Sequence, residues 1–240
     1  MKKLLILILV LTCSHVFAQP WKTVRGNGNL KTETRTVADF SSLSSHGPID
    51  VKIAYGNSNT IEIEADENLL PLIKTNVEDG KLIIQPEKNM NLRSGSKMVV
   101  RVSMTKIKML QLSGSGNIDG NGSFSADEKT QIVISGSGNI NLSSATFEDL
   151  SLGISGSGNI IVKGGSSNSV SISVSGSGNV DCSDIVAKNV EVKISGSGNA
   201  KVNANKKLVA NISGSGNVFY KGSAADVSTR VAGSGKAIKI

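Results

Sequence analysis

The sequence predicts an all-β protein, a parallel β-helix or β-solenoid built from repeats of about 20 residues and capped by an N-terminal β-meander. Three observations predict this fold. The motif Ser-Gly-Ser-Gly-Asn recurs, its successive copies begin 18 to 22 residues apart, and the residues before each copy alternate between apolar and polar. A period of this length is typical of architectures in which each repeat forms one turn of a stack.

The start of the chain predicts a signal peptide, Met1 to Ala18. Lys2 and Lys3 precede the apolar run Leu4 to Leu11, and small residues stand at Val16 and Ala18, where a leader peptidase reads the chain. The run is too short to span a bilayer. We therefore expect a protein that is exported, not transmembrane, and located in the periplasm, at the cell surface or outside the cell.

The two cysteines bear on anchoring and on disulfides. Lipid attachment at Cys13 is an alternative to cleavage after Ala18, but Thr12 fits a lipobox poorly, so we favour cleavage. Cys182 then stands alone, and no internal disulfide is possible. Its column in the repeat otherwise holds Leu142, Val162 and Val202, which predicts a buried core thiol.

Gln19 to Met104 lacks the motif but is rich in predicted strands. Ile49 to Ile53 alternates in polarity, a turn follows at Gly56, and Asp79-Gly80 marks another turn. Leu69 to Val77, interrupted by Pro71, is compatible with a short helix or with an extended segment that crosses an end of the stack. We interpret this region as a meander that continues into the solenoid or caps it, because a terminal unit must hide the core from water.

Each later repeat is predicted to contain a strand, a glycine corner, a second and shorter strand, and a variable arc. In one repeat Leu150, Leu152 and Ile154 alternate before the corner, and Ile160 and Val162 follow it. One such repeat buries too few apolar side chains to offset the entropy of ordering its backbone, so stacking is required.

The corners are predicted to depend on glycine and asparagine. Glycine reaches positive φ without steric cost, asparagine does so more readily than most residues, and turns stacked about 4.8 Å apart demand small side chains. We expect the asparagines to hydrogen-bond to one another along the stack. The predicted turn residues are Gly114, Gly116, Asn117, Gly136, Gly138, Asn139, Gly156, Gly158, Asn159, Gly176, Gly178, Asn179, Gly196, Gly198, Asn199, Gly214, Gly216, Asn217, Gly233 and Gly235.

Several stretches together resemble a known bacterial family. They are Asp39-Phe40, Ile49-Asp50-Val51, the strand pair around Gly56, Ala65 to Leu70, Glu78 to Leu82 and the repeated Gly-Ser-Gly-Asn-Ile. The family is the "putative autotransporter adhesin head GIN domain" family. The resemblance implies a β-helix similar to the pectin lyase superfamily, export, no established catalytic site and a role in cell adhesion. The chain departs from the pattern at His46-Gly47-Pro48, where the motif is missing, and at Lys236, which replaces an asparagine.

The predicted organisation follows from the leader, the resemblance and the repeats. Residues 1–18 are the signal peptide, residues 19–38 an N-terminal segment, and residues 39–240 a domain that resembles this family. Within that domain, 39–105 form the meander and cap, and 106–240 form the repeats.

Charge and composition exclude some classes of function. The formal net charge is +7 at pH 7, and removal of Lys2 and Lys3 from 26 basic residues leaves 24 against 19 acidic ones, or +5. No basic run with interleaved aromatics is present, so we do not expect nucleic-acid binding. Gly233 to Lys236 lacks the first glycine of a phosphate-binding loop, and the repeated asparagines lack the charge that calcium prefers. We predict no cofactor and no metal.

Catalytic candidates do not converge in the sequence. Asp119 and Asp181 are three repeats apart, or about 14 Å, beyond the roughly 5 to 9.5 Å that paired glycosidase carboxylates need. His46, the one histidine after the leader, is interpreted as a turn residue. A sugar-binding site would use Phe219-Tyr220, although Tyr220 falls in an inward column. The alternative to a non-enzymatic protein is a carbohydrate-binding or polysaccharide-cleaving site in the arcs, at Glu148, Asp149, Asp184 and Lys188.

The sequence therefore predicts a non-enzymatic, exported protein that is adhesin-like or a structural surface protein. Its expected partner is a glycan, a host protein or an envelope protein. We expect a monomer or a small homo-oligomer, because Lys236 and Lys239 flank the exposed edge of the final strand and discourage another chain from adding to it.

Overall fold

The computed structural model describes residues 21–126 and 128–240. Within them lie 21 strands, one short 3₁₀ helix (Leu70–Leu72) and no α-helix. This arrangement is the predicted all-β solenoid. The predicted signal peptide and the alternative lipid site at Cys13 lie outside the described residues.

The N-terminal part of the described chain contributes nine strands. They are β1 (Lys22–Arg25), β2 (Leu30–Thr36), β3 (Ser42–Gly47), β4 (Asp50–Tyr55), β5 (Thr60–Asp66), β6 (Ile73–Glu78), β7 (Lys81–Pro86), β8 (Met90–Arg93) and β9 (Val99–Met104).

The repeats contribute the other twelve strands. They are β10 (Met109–Gly114), β11 (Asn117–Ala126), β12 (Thr130–Gly136), β13 (Asn139–Gly156), β14 (Asn159–Val162), β15 (Ser166–Gly176), β16 (Asn179–Asp181), β17 (Val186–Gly196), β18 (Asn199–Gly214), β19 (Asn217–Lys221), β20 (Asp226–Gly233) and β21 (Lys236–Lys239).

Two parallel sheets run along the stack and meet at the glycine corners. The first sheet contains the strands that precede a corner, in the order β7, β3, β10, β12, β13, β15, β17, β18 and β20. The second contains the strands that follow a corner, in the order β9, β4, β11, β13, β14, β16, β18, β19 and β21. β13 and β18 belong to both sheets because each continues through an arc into the next coil.

The order of the coils in space differs from their order in the chain. β3 pairs in parallel with β7 on one side and with β10 on the other, and β4 lies between β9 and β11 in the same way. The coil formed by β3 and β4 is therefore inserted between two segments that come later in the sequence. The meander thus both continues into the solenoid and caps it.

Antiparallel strands cover the N-terminal end of the stack. β6 pairs with β7, β5 pairs with β9, and β2 adds to β5. The segment that contains Pro71 begins as the 3₁₀ helix and continues as β6, so the two alternatives for Leu69 to Val77 both occur in succession. Leu69 and Ile73 are fully buried beneath this cap.

The core consists of the inward columns predicted from the alternation. Ile132, Ile134, Ile140 and Leu142, which surround one corner, are each at most 1 % exposed. The arcs add a narrow third side, where Phe124 pairs with Ala145 of the next coil and fills the interior. A fully buried aromatic at that position closes the core near the cap.

Candidate functional site

The first glycine of every motif adopts positive φ. Its φ lies between 120° and 136° at Gly114, Gly136, Gly156, Gly176, Gly196, Gly214 and Gly233. In each motif before the last, its carbonyl oxygen accepts a hydrogen bond from the coil above, as Gly136 does from the backbone N–H groups of Ser157 at 3.0 Å and Gly158 at 3.2 Å. The corner is therefore both a turn and a rung of the stack.

The second glycine of the motif is required for a different reason. Gly158 has no positive φ, but a Cβ there would overlap the carbonyl oxygen of Gly138 and lie 2.9 Å from Cγ2 of Ile134. The motif asparagines also lack positive φ, since the described residues other than glycine that adopt it are Asp79 and Asn89. Close approach of coils, and not turn geometry, explains this second position.

The asparagines form a hydrogen-bonded ladder, as predicted. From Asn139 onward, each side-chain amide donates to the side-chain oxygen of the asparagine one coil below, over N···O distances of 2.8 to 3.2 Å. We call this row the asparagine ladder; its members are Asn117, Asn139, Asn159, Asn179, Asn199 and Asn217.

The ends of the asparagine ladder explain two departures from the motif. Because every amide donates in the same direction, one end needs an acceptor and the other needs a donor. Asp50 Oδ1 accepts from both the backbone N–H and Nδ2 of Asn117, each at 2.9 Å. At the opposite end, the backbone N–H of Lys236 donates to Oδ1 of Asn217 at 3.1 Å, so no further amide is needed.

Beside the ladder, a row of side chains points outward from the second sheet. We call this row the lateral face; it comprises Arg101, Lys52, Asp119, Asn141, Ile161, Asp181, Lys201, Phe219 and Ile238, which are exposed or half-buried and adjacent in register. The prediction that the second position after each asparagine points outward is confirmed.

One groove on the lateral face contains an aromatic side chain. Phe219 lines a cavity of about 410 Å³ together with Ile161, Asp181 and Lys201, and Nζ of Lys201 lies 3.5 Å from Oδ2 of Asp181. Three amides of the asparagine ladder form its other wall. An apolar surface with a few oriented polar groups is typical of ligand sites. Phe219 is thus available to a ligand, whereas Tyr220 packs against the core as expected.

A second groove on the same face contains several charged side chains. It has a volume of about 480 Å³ and is lined by Lys52, Arg101, Asp119, Glu62 and side chains of the loop before β5. Arg101 Nη2 lies 2.9 Å from Glu64 Oε2, and Asp119 accepts a hydrogen bond of 2.8 Å from Nδ2 of Asn141. Sequence reasoning missed this groove, because it exists only where β4 lies between β9 and β11; the outward positions of those strands were the available signal.

The structure does not bring the four charged arc residues together. Glu148 and Lys188 line one groove of about 520 Å³, but Asp149 and Asp184 are not part of it. Asp184 Oδ1 instead lies 3.5 Å from Nζ of Lys221 at another corner. The arcs therefore do not assemble the carbohydrate-active cluster that the sequence left open.

His46 and Cys182 have perturbed acidities with structural causes. Nε2 of His46 lies 3.0 Å from Oγ of Ser44, and partial burial and then the charge of Lys81 hold the pKa of His46 below its usual value. Burial, followed by the charge of Asp181, raises the pKa of Cys182 to about 12. Cys182 is thus the buried, inert thiol that was predicted.

The fold is a β-solenoid, and the lateral face is an extended row of outward-pointing side chains along its second sheet. The chain belongs to the family described as "Putative auto-transporter adhesin, head GIN domain", which matches residues 39–224. No curated protein matches the chain. Within the described residues, no helix has the length and apolar character needed to cross a membrane.

Solved structures of several bacterial proteins share the fold. A "putative adhesin" from Bacteroides fragilis is similar with a TM-score of 0.82 and 22 % identity, over 90 % of this chain and 100 % of that one. A "putative lipid binding protein" from Parabacteroides distasonis gives 0.78 and 27 %, over 91 % and 100 %. A "putative adhesin" from Parabacteroides merdae gives 0.65 and 27 %, over 91 % and 99 %.

Proposed function

We propose that the protein is exported and acts as a non-catalytic adhesin that binds glycan along the lateral face. The observation that carries this proposal is the groove at Phe219, where an aromatic ring, an ion pair and a row of amides face outward together. Aromatic faces take up the apolar side of a sugar ring, while amide and charged groups hydrogen-bond to its hydroxyls.

The rigidity of the solenoid supports this function. The groups of the lateral face lie on strands held in register on both sides, and the adjacent asparagine ladder ties every coil to the next. Such a surface loses little conformational entropy when a ligand binds, so several modest contacts can add up to useful affinity.

Binding is tested on a glycan array with the purified secreted protein. We expect Phe219→Ala and Lys201→Ala each to weaken binding by roughly tenfold, equivalent to about 1.4 kcal/mol. Glu191→Ala is the matched control, because Glu191 is half-buried on the outer side of the first sheet and paired there with Lys193. Glycan binding that survives both lateral-face changes would place the ligand elsewhere and refute the proposed site.

Catalysis is tested on the same preparation with acidic polysaccharides and an assay for unsaturated product. We expect no turnover. Turnover that is abolished by Glu148→Gln would overturn the non-catalytic proposal and favour the groove shared by Glu148 and Lys188.

Export is tested by the intact mass of the protein recovered from culture medium or envelope. We expect a chain that begins at Gln19. A mass that corresponds to an acylated Cys13 would replace this with a lipid-anchored protein.

A further inference from the structure

The two ends of the solenoid differ in how far the described strands cover the core. At the N-terminal end, β6 and β5 cover the first coil, and β2 covers β5. At the other end, β20 pairs with β18 and with no further strand of the described chain. All eight residues of β20 are exposed.

The end formed by β20 exposes side chains that belong to the core columns. Val227 is 40 % exposed and Val231 is 44 % exposed, whereas Leu208 and Ile212, one coil below in the same columns, are 0 % and 3 % exposed. The free edge of β20 also carries backbone N–H and C=O groups that another strand could pair with. This end thus combines an apolar strip with an open hydrogen-bonding edge.

We propose that this end binds a second copy of the chain, with β20 antiparallel to the partner's β20 in an isologous dimer. Within the described residues, β20 is the one strand that joins an exposed continuation of the core columns to a free edge, since β2, β5 and β6 cover the N-terminal end. Two copies related by a two-fold axis use up both edges, so association stops at the dimer and does not continue into a filament.

An antiparallel register centred on Thr229 suits this pairing. It sets Val227 opposite the partner's Val231, and Thr229 opposite the partner's Thr229, on the side that faces the core. Opposed β-branched residues are favourable cross-strand pairs. The strip exposed on one copy is therefore covered by the strip on the other.

The outward side of the same register is complementary in charge. Ser228 stands opposite the partner's Arg230, and Asp226 is the diagonal neighbour of that arginine, within reach of long side chains. The pairing opposes no two like charges along β20. By contrast, β21 carries Lys236 and Lys239, which are exposed, so repulsion directs association to β20.

The area that two β20 ends can bury indicates the affinity to expect for the dimer. Eight residues at about 3.3 Å span about 26 Å, and sheets pack about 10 Å apart, so the end face offers a few hundred Å² per copy. This is below the roughly 800 Å² per partner of a standard stable interface. We therefore expect a reversible dimer with a dissociation constant in the micromolar range.

Sedimentation equilibrium of the purified secreted protein from about 1 to 200 μM tests the dimer. We expect the mass to rise from one chain to two, and Val227→Lys combined with Val231→Lys to leave a monomer across the range. Both valines are already exposed, so the fold should survive. Ser171→Lys with Ser173→Lys is the matched control, because it adds two charges to an exposed outer surface and should dimerise like the parent.

A cross-link tests the register independently. Thr229→Cys places two thiols opposite each other at the two-fold axis, and mild oxidation should yield a disulfide-linked dimer in most of the protein; Ser171→Cys should not. A parent protein that stays monomeric at 200 μM would overturn the proposal. The same holds if the end formed by β20 binds lipid and the protein remains a monomer. Dimerisation that persists in the double lysine variant would overturn it equally.

Discussion

Two steric requirements for glycine, close approach of the neighbouring coil and positive φ, can be tested separately at three glycines within six residues. Gly158→Ala places a methyl group against the coil below, 2.9 Å from Cγ2 of Ile134 and within overlap of a backbone oxygen. Gly156→Ala has a similar clash and also a φ of 133° that L-residues rarely adopt. At Gly153 the nearest atoms to an added Cβ are 3.7 Å away and φ is not positive, so Gly153→Ala is the matched control.

The expected loss of stability follows from these contacts. Overpacking at Gly158 costs about 1 to 3 kcal/mol. Separation of the coils also weakens the hydrogen bond from the backbone N–H of Asn159 to Gly138, now 3.3 Å, which contributes about 1 kcal/mol. We therefore expect Gly158→Ala to cost about 2 to 4 kcal/mol. Gly156→Ala should cost about 1 to 3 kcal/mol more because of its strained φ, and Gly153→Ala should stay within about 0.5 kcal/mol.

Equilibrium unfolding in urea, followed by far-ultraviolet circular dichroism, provides the test. The midpoint should fall in the order Gly153→Ala, Gly158→Ala, Gly156→Ala, with an unchanged slope if the whole stack unfolds together. A Gly158→Ala protein as stable as the Gly153→Ala control would refute the close-approach explanation. Equal losses at Gly156 and Gly158 would show that positive φ adds no measurable cost.

Three further predictions concern individual side chains. Asp50→Ala should lower stability by about 1 to 3 kcal/mol and Asp50→Asn by less, as melting temperatures would show, because Asn117 loses its acceptor; equal melting temperatures for both variants would contradict this. The pKa of His46 is lowered on folding, so its contribution to stability is present above its ordinary value near 6.5 and is lost as pH falls below that value. Stability measured from pH 7.5 to 4.5 should therefore decline less in His46→Gln, and an identical decline would exclude His46 as the cause. Cys182, whose pKa is raised to about 12, should resist thiol reagents at pH 8 in the folded protein and react after denaturation; rapid labelling of the native protein would show an open core.

The local alternation of apolar and polar residues was sufficient to predict much of the fold. The alternation around residues such as Leu152 and Ile160 identified which side chains are buried, because period two sets the face on which a side chain lies. The same reasoning placed Cys182 in the core and Phe219 outside it. It assigned positive φ and close stacking jointly to both glycines of the motif, whereas in the structure positive φ applies to the first glycine, and Gly158 is required only by the close approach of the coil below.

The sequence by itself determined the repeat, its corners and its inward columns, because each is a relation between residues at most one repeat apart. The tertiary structure alone decided the order of the coils, in which β3 and β4 enter between later strands, and hence the polar groove where Lys52 meets Arg101 and Asp119. It also decided that Glu148 and Asp184 are separate, and that, among the described residues, strands cover one end of the stack while β20 at the other end pairs on one side only. These features depend on pairing between strands that are distant in the chain. Backbone hydrogen bonds form the same ladder whatever the side chains are, so the local sequence does not reveal which strand lies beside which.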